Sequence, residues 1–197
     1  MAILWQKRVD NTLYEVRSAG RTRRLYTNGV LHSQYNPHQI ITGSVWDLLL
    51  LPALCVPEEN IKRVLVLGVG GGTVLHQLSG LLSPDIMIGI ELSEEHIFVA
   101  EQHFSLTQPH IVLHRADAVS WLRAYQGVAF DLIIDDLYGH DGGEPVRAVP
   151  LSEAWVNTLL SNLSDDGVLV TNTVSPEELN TSSLVAGGKM EEHFTSA

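Results

Sequence analysis

Residues 42–197 alternate short apolar runs with amphipathic stretches, a glycine-rich turn follows the first of these runs, and a hairpin-patterned segment precedes them all. These three observations predict an α/β fold: a doubly wound, mostly parallel sheet preceded by a small N-terminal antiparallel β meander. The parts divide into a meander segment, 1–41, and a sheet domain, 42–197.

In the meander, residues 12–17 alternate apolar and polar, 18–21 read as a turn, and 22–27 resume the strand pattern. Asn28-Gly29 is a two-residue hairpin signal, followed by a strand over 30–34. So short a meander buries little alone and must pack against the larger domain or a second subunit. From Thr42 the pattern changes. Ser44 caps a helix through Leu54 that Pro57 ends. Val64-Leu65-Val66-Leu67 is a continuous apolar run, as expected of a strand covered on both faces. Gly68-Val69-Gly70-Gly71-Gly72 then leads into a helix over 73–82. Further strands at 86–90, 111–114, 131–134 and 167–172 alternate with helices over 94–104, 118–125, 152–163 and 176–194. Five such units in series imply right-handed crossovers and a parallel sheet.

Composition narrows the classes of function. Hydrophobic residues at 45% and charged residues at 18% exclude disorder. Twelve Lys and Arg against twenty-three Asp and Glu leave a net charge of −11. Bare nucleic acid is therefore not an expected partner, whereas a cationic substrate is suited. A single cysteine, Cys55, excludes an intramolecular disulfide and any CxxC metal site, and points to a reducing compartment. The N-terminal residues lack the apolar run of a signal peptide. The longest apolar stretch, residues 48–56, contains Pro52 and falls far short of the roughly 20 residues that span a bilayer. A cytoplasmic protein with no membrane partner is expected. Half of the basic side chains (Lys7, Arg8, Arg17, Arg21, Arg23, Arg24) lie in the meander, as edge charges against aggregation or as a local basic patch.

Ligands of doubly wound sheets sit beyond the carboxyl ends of the strands, where strand order reverses. This chain carries a candidate group at each of those ends. Gly68, Gly70 and Gly72 follow the first strand and open a helix whose N–H groups face the site. The second strand ends at Glu91, 23 residues after Gly68, where an acid can hold a ribose diol or cap the next helix, with Ser93 better placed to cap. Asp117 follows the third strand and can accept a hydrogen bond from an exocyclic amino group such as that of adenine, or cap its helix. Thr73, in place of a third-position Gly or Ala, disfavours a dinucleotide. Together these features point to an adenosine-type ligand.

At these residues the chain resembles the spermidine synthase family, a branch of the class I S-adenosylmethionine-dependent methyltransferase fold. Val64-Leu-Val-Leu-Gly-Val-Gly-Gly-Gly-Thr-Val-Leu-His76, Gly89-Ile-Glu-Leu-Ser93, Ala116-Asp-Ala118 and Phe130-Asp-Leu-Ile-Ile-Asp-Asp136 look like its successive motifs. Tyr26-Thr-Asn-Gly-Val-Leu-His-Ser-Gln34 resembles its small β domain, and the likeness covers residues 12–175. The resemblance implies a Rossmann-like, methyltransferase-type domain whose donor is S-adenosylmethionine or its decarboxylated form. It assigns Glu91 to the ribose, Asp117 to the adenine amino group, and Gly68, Gly70 and Gly72 to the methionine-derived portion. Leu92 and Ala118, beside the two acids, complete the expected nucleotide contacts. Asp136 matches the acid that receives the amine nucleophile. Three departures stand out: the family's loop carries an Asp where this chain has Gly71, its second acid after the fourth strand falls on Gly139, and its Tyr-containing polyamine segment is not recognisable in residues 36–46.

The implied reaction is transfer of an aminopropyl or methyl group to a small amine-like acceptor. A methyltransferase with a non-polyamine acceptor, or a nucleotide-binding relative without transfer, are the alternatives. Adjacent strand residues point to opposite faces, so only one of Asp135 and Asp136 reaches the ligand; geometry leaves the two open, and the resemblance makes Asp136 the expected catalytic acid. Residues 137–150, with Tyr138, His140, Asp141 and Glu144, read as a lid loop in which His140 is either a base or, as the preferred reading, a solvent-exposed loop histidine. His96 and His103 lie seven apart on one helix face, yet no metal-ligand spacing accompanies them, so no metal is expected. The usual fold adds two strands beyond the last helix, for which residues up to 197 leave no room, so either the chain is a shortened form or the sheet is genuinely five-stranded. That would expose the fifth strand at an edge. With the apolar Leu13, Leu25, Val30 and Leu31 of the hairpins, it predicts a homodimer with the final helix covering that strand.

Overall fold

In the computed structural model the described residues are 1–141, 144–173 and 175–186. Four antiparallel strands, β1 (Ala2–Val9), β2 (Thr12–Ala19), β3 (Thr22–Thr27) and β4 (Val30–Tyr35), form a sheet in chain order. Strand β1 is not among those expected from the sequence. Its signal is the Asp10-Asn11 pair between two alternating runs, with Asp10 at φ +50°, a backbone state that Asp and Asn tolerate.

The main sheet has five strands, all parallel, in the order β11-β8-β5-β6-β7. These are β5 (Arg63–Leu67), β6 (Ile86–Glu91), β7 (Ile111–Arg115), β8 (Phe130–Asp135) and β11 (Leu163–Thr171). The doubly wound parallel sheet with its antiparallel meander is thus borne out, and β11 stands at the edge. Period-2 alternation divides β5 between two cores. Val64 and Val66 face one with α1 (Val45–Leu50) and α2 (Thr73–Leu81), while Leu65 and Leu67 face the other with α4 (Ala118–Ala124) and α5 (Glu153–Ser161). The third cluster joins the meander to the main domain: Val16 and Leu25 pack on Val99 of α3 (Glu94–Gln102) and on Phe104. Leu25, expected to need a second subunit, is therefore fully buried by its own chain.

Two other expectations change. The helix expected through Leu54 stops at Leu50 and continues as a 3-10 turn, Leu51–Cys55, because Pro52 has no N–H to extend the α ladder. The expected lid loop carries a hairpin, β9 (Tyr138–Asp141) with β10 (Glu144–Arg147). The side chains of His140, Asp141 and Glu144 lie outside those described. The final helix is split into α6 (Pro176–Thr181) and α7 (Ser183–Ala186), and residues 187–194 of the expected helix lie outside the described chain. Among the described residues no helix is long and apolar enough to cross a membrane.

Candidate functional site

Strand order reverses at β5, between β6 and β8, and there a cavity of about 730 Å³ opens at the strands' carboxyl ends. Its volume falls in the range of small-molecule sites. Gly68, Gly70, Glu91, Leu92, Asp117, Ala118 and Asp136 line it, so the topology gathers most of the sequence-selected residues in one place. Gly72 does not line it; it heads α2 and packs against Leu106.

The glycine loop is shaped by close approaches. Gly68 has φ +83°, and a Cβ there would fall 2.2 Å from the Asp136 carbonyl oxygen. Gly70 has φ +55°, and its Cβ would meet Ser33 Oγ at 2.7 Å. Only glycine fits either position. The meander reaches this loop directly. Ser33 Oγ accepts the Gly71 N–H at 2.7 Å, and the Thr73 hydroxyl bonds both the N–H and the carbonyl of Gln34 at 2.9 Å. At Gly71 a Cβ would sit 2.6 Å from the buried Phe104 ring. A side chain at this position, where the resembling family carries Asp, would collide with that ring.

Glu91 is only 8% exposed. Its Oε2 accepts the N–H groups of Val69 (3.1 Å) and Gly70 (2.8 Å), and its Oε1 accepts that of Ser93 (2.8 Å). His96 Nδ1 stands 3.6 Å from Oε1, an ion-pair separation longer than a hydrogen bond. Burial pushes the carboxyl up, but His96 and the N–H groups of Ser93 and Gly70 outweigh it and hold Glu91 below the usual carboxylate range. Ser93 itself caps α3, accepting from the His96 N–H. Asp117 caps α4 through the Ser120 N–H at 2.8 Å, the capping role read from the sequence, and it also lines the cavity. Hydrogen bonding to Ser120 holds its carboxyl below the usual range.

At the end of β8 the two adjacent acids part. Asp135 is fully buried, paired with Arg147 of β10 and accepting the Trp155 indole N–H at 2.8 Å. Asp136 faces the cavity, where its Oδ1 accepts from Asn172 Nδ2 at 2.8 Å. Burial raises the Asp136 carboxyl to about 6, with the negative charges of Asp135 and Glu91 adding to the rise and the Asn172 and Arg147 contacts opposing it. Asn172 is held in turn: its carbonyl oxygen accepts from Tyr138 Oη (2.8 Å) and from Arg147 (2.7 Å). Sequence reading did not select Asn172, His32 or His96 for the cavity. A polar residue at the end of an apolar strand was the available signal for Asn172, whereas the two histidines carried none. His96 and His103 serve separate sites. His96 lines the cavity, while His103 packs beside Trp5 and Phe98. Among the described residues no three His, Cys, Asp or Glu side chains converge as metal ligands.

Comparison with known proteins agrees with this fold. The family model described as "Methyltransferase domain" matches residues 58–196. The chain is similar to a polyamine aminopropyltransferase of Vibrio vulnificus, 28% identical over 121 residues, 60% of this chain and 40% of that protein. It spans less than half the length of the curated relatives it matches. In fold it is similar to a probable spermidine synthase from Corynebacterium glutamicum, with a TM-score of 0.78 and 17% identity, covering 97% of this chain and 71% of that one. It is also similar to human methyltransferase-like protein 13 in complex with SAH, with a TM-score of 0.59 and 21% identity over 75% of this chain and 70% of that one. The chain belongs to the methyltransferase domain family, with the spermidine synthase-like form of the class I S-adenosylmethionine-dependent methyltransferase fold.

Proposed function

We propose that this chain binds an adenosyl sulfonium donor in the cavity and transfers an aminopropyl or methyl group to an amine-like acceptor at Asp136. The observation that carries this reading is the convergence of Glu91, Asp117 and Asp136 on one cavity above a glycine loop. In it, Glu91 receives the ribose, Asp117 the adenine amino group, and Gly68 and Gly70 admit the methionine-derived portion. The aminopropyltransferase relative and the spermidine synthase-like neighbour support an amine acceptor. So does charge. Among the described residues lining the cavity there are three carboxylates and neither Lys nor Arg. A donor ending in an amine finds partners there, while a donor carboxylate finds neither Lys nor Arg among the described lining residues, which favours the decarboxylated donor.

The sulfonium supplies an activated carbon and a neutral thioether leaving group. The acceptor's nitrogen lone pair forms the new C–N bond as the C–S bond breaks and its electron pair returns to sulfur. Asp136 orients the amine and takes the proton the nitrogen sheds. Asn172 holds the carboxylate in place. The apolar side chains of Val30, Leu31 and Trp46 also line the cavity.

A second reading, methyl transfer to an acceptor other than a polyamine, is favoured by Gly71, where the Phe104 ring leaves no room for the amine-binding Asp of the resembling family. Isothermal titration with S-adenosylmethionine, its decarboxylated form, methylthioadenosine and S-adenosylhomocysteine separates the two. Tight methylthioadenosine binding is the expected result and supports aminopropyl transfer. Tight S-adenosylhomocysteine binding instead supports methyl transfer, and no binding of any of the four overturns the site. A homodimer through the N-terminal sheet belongs to the same proposal, with Ile3 and Leu4 of the edge strand β1 exposed.

A further inference from the structure

His96 stands between the meander and the acid at the end of β6. Its Nε2 contacts the Thr27 hydroxyl at 2.9 Å, and its Nδ1 faces Glu91 Oε1 at 3.6 Å. The ring is boxed by Tyr14 of β2, edge-on with centroids 5.6 Å apart, and by His32 of β4 at 5.1 Å. The Lys7–Glu95 ion pair lies on the neighbouring residue of α3. Every strand of the meander thus sends a side chain to this short stretch of α3, and His96 is the member that reaches Glu91.

The Glu91 carboxylate has few acceptor positions left. Both lone pairs of Oε2 are engaged by Val69 and Gly70, and one of Oε1 by Ser93. The remaining position, on Oε1, is the one beside His96, and the ring at 3.6 Å stands too far away to fill it, so it is left for one ribose hydroxyl. A bare ring nitrogen facing a carboxylate is repulsive, so Nδ1 carries the proton and Nε2 meets Thr27. The Thr27 hydroxyl is both donor and acceptor, so it secures this ring orientation whichever charge the imidazole bears.

We propose that His96 is a positioning residue: it orients Glu91 Oε1 for the ribose of the bound nucleoside, tying ligand affinity to the seating of the N-terminal sheet. The inference rests on the nucleotide reading above and extends it, because His96 acts through Glu91 and not on the ligand.

A double-mutant cycle tests it, with methylthioadenosine as the probe in calorimetry and the melting temperature followed in parallel. His96→Ala is expected to weaken binding about 10-fold, the size of the ribose hydrogen bond that a misplaced Glu91 Oε1 no longer makes. His96→Asn, whose amide nitrogen can occupy the place of Nδ1, is expected to stay within about 3-fold of the unmodified chain. In a Glu91→Gln background His96→Ala is expected to add nothing, because the group it acts through is already altered. Equal losses for Ala and Asn, or full additivity with Glu91→Gln, overturn the positioning role and leave the nucleotide site standing. If His96→Ala does not fold, the Asn variant alone and combined with Glu91→Gln decides the case. Failure of the unmodified chain to bind methylthioadenosine or any other adenosyl ligand overturns the nucleotide reading itself, and this inference with it.

Discussion

Asp135 and Asp136 are neighbours in the chain and opposites in the fold. The Asp135 side chain is fully buried against Arg147 and Trp155, and the Asp136 side chain opens on the cavity and is held by Asn172. Strand geometry turns consecutive side chains to opposite faces. One acid therefore anchors the β9–β10 hairpin to the sheet while the other faces the cavity.

Asp136→Asn should lower turnover steeply while leaving nucleotide affinity within a few-fold, because an amide neither takes a proton nor holds a cationic amine. Steady-state kinetics with calorimetric Kd values checks this. Retained turnover in Asp136→Asn would remove the acid from the mechanism.

Asp135→Asn should act on stability instead. Removing one partner of a buried ion pair leaves the other charge uncompensated, at a cost of about 3 kcal/mol. The Glu178 contact of Arg147 at 3.7 Å moderates the loss. Urea unfolding measures it, and a midpoint equal to that of the unmodified chain would contradict it.

The raised Asp136 carboxyl, about 6 against an ordinary 3.8, gives opposite pH trends for stability and rate. The folded chain holds this proton more tightly than the unfolded chain. Its contribution to stability is therefore complete below the ordinary value and is lost as pH rises through about 6. Proton acceptance needs the carboxylate, so turnover should rise through the same pH. A kcat/KM profile between about pH 5 and 8, which reports groups of the free enzyme, should show that limb, and Asp136→Asn should flatten what activity remains.

Glu91→Ala should weaken nucleotide binding by roughly 1.5–3 kcal/mol, the cost of losing charge-assisted hydrogen bonds. The fold should suffer too. A carboxylate 8% exposed that accepts three backbone N–H groups is part of the glycine loop's own framework. A lower melting temperature together with lost affinity is expected, and unchanged affinity would sink the ribose assignment.

Gly71→Ala should destabilise the chain by about 1–3 kcal/mol, since the added Cβ meets the Phe104 ring at 2.6 Å in a closed core. Phe104→Leu in the same chain should recover part of the loss. Thermal unfolding of the single and double variants reads both effects.

Sedimentation equilibrium at micromolar concentration tests the proposed homodimer. A species of twice 21.7 kDa is expected, and Ile3→Lys on the exposed face of β1 should dissociate it. A clean 21.7 kDa species across the dilution range would make the dimer wrong.

Local pattern carried the order of elements. The apolar run 64–67 became a strand buried on both faces, Asn28-Gly29 became a hairpin turn, and Ser93, Asp117 and Ser152 became helix caps. Each depends on residues a few positions apart, so sequence alone determines it, and parallel topology follows because short helices between buried strands admit one crossover hand. The acids at successive strand ends were legible for the same reason, since parallel strands bring all their carboxyl ends to one rim. What only the tertiary structure decided is how those groups are held. Arg147 reaches Asp135 across 12 residues, Ser33 reaches Gly71 across 38, and Thr27 reaches His96 across 69. Phe104 fills the space beside Gly71 because Val16 and Leu25 of another sheet press on the same cluster. Such contacts arise from register and packing between separately folded elements, and a periodicity read along one chain segment holds no information about which distant side chain will arrive there.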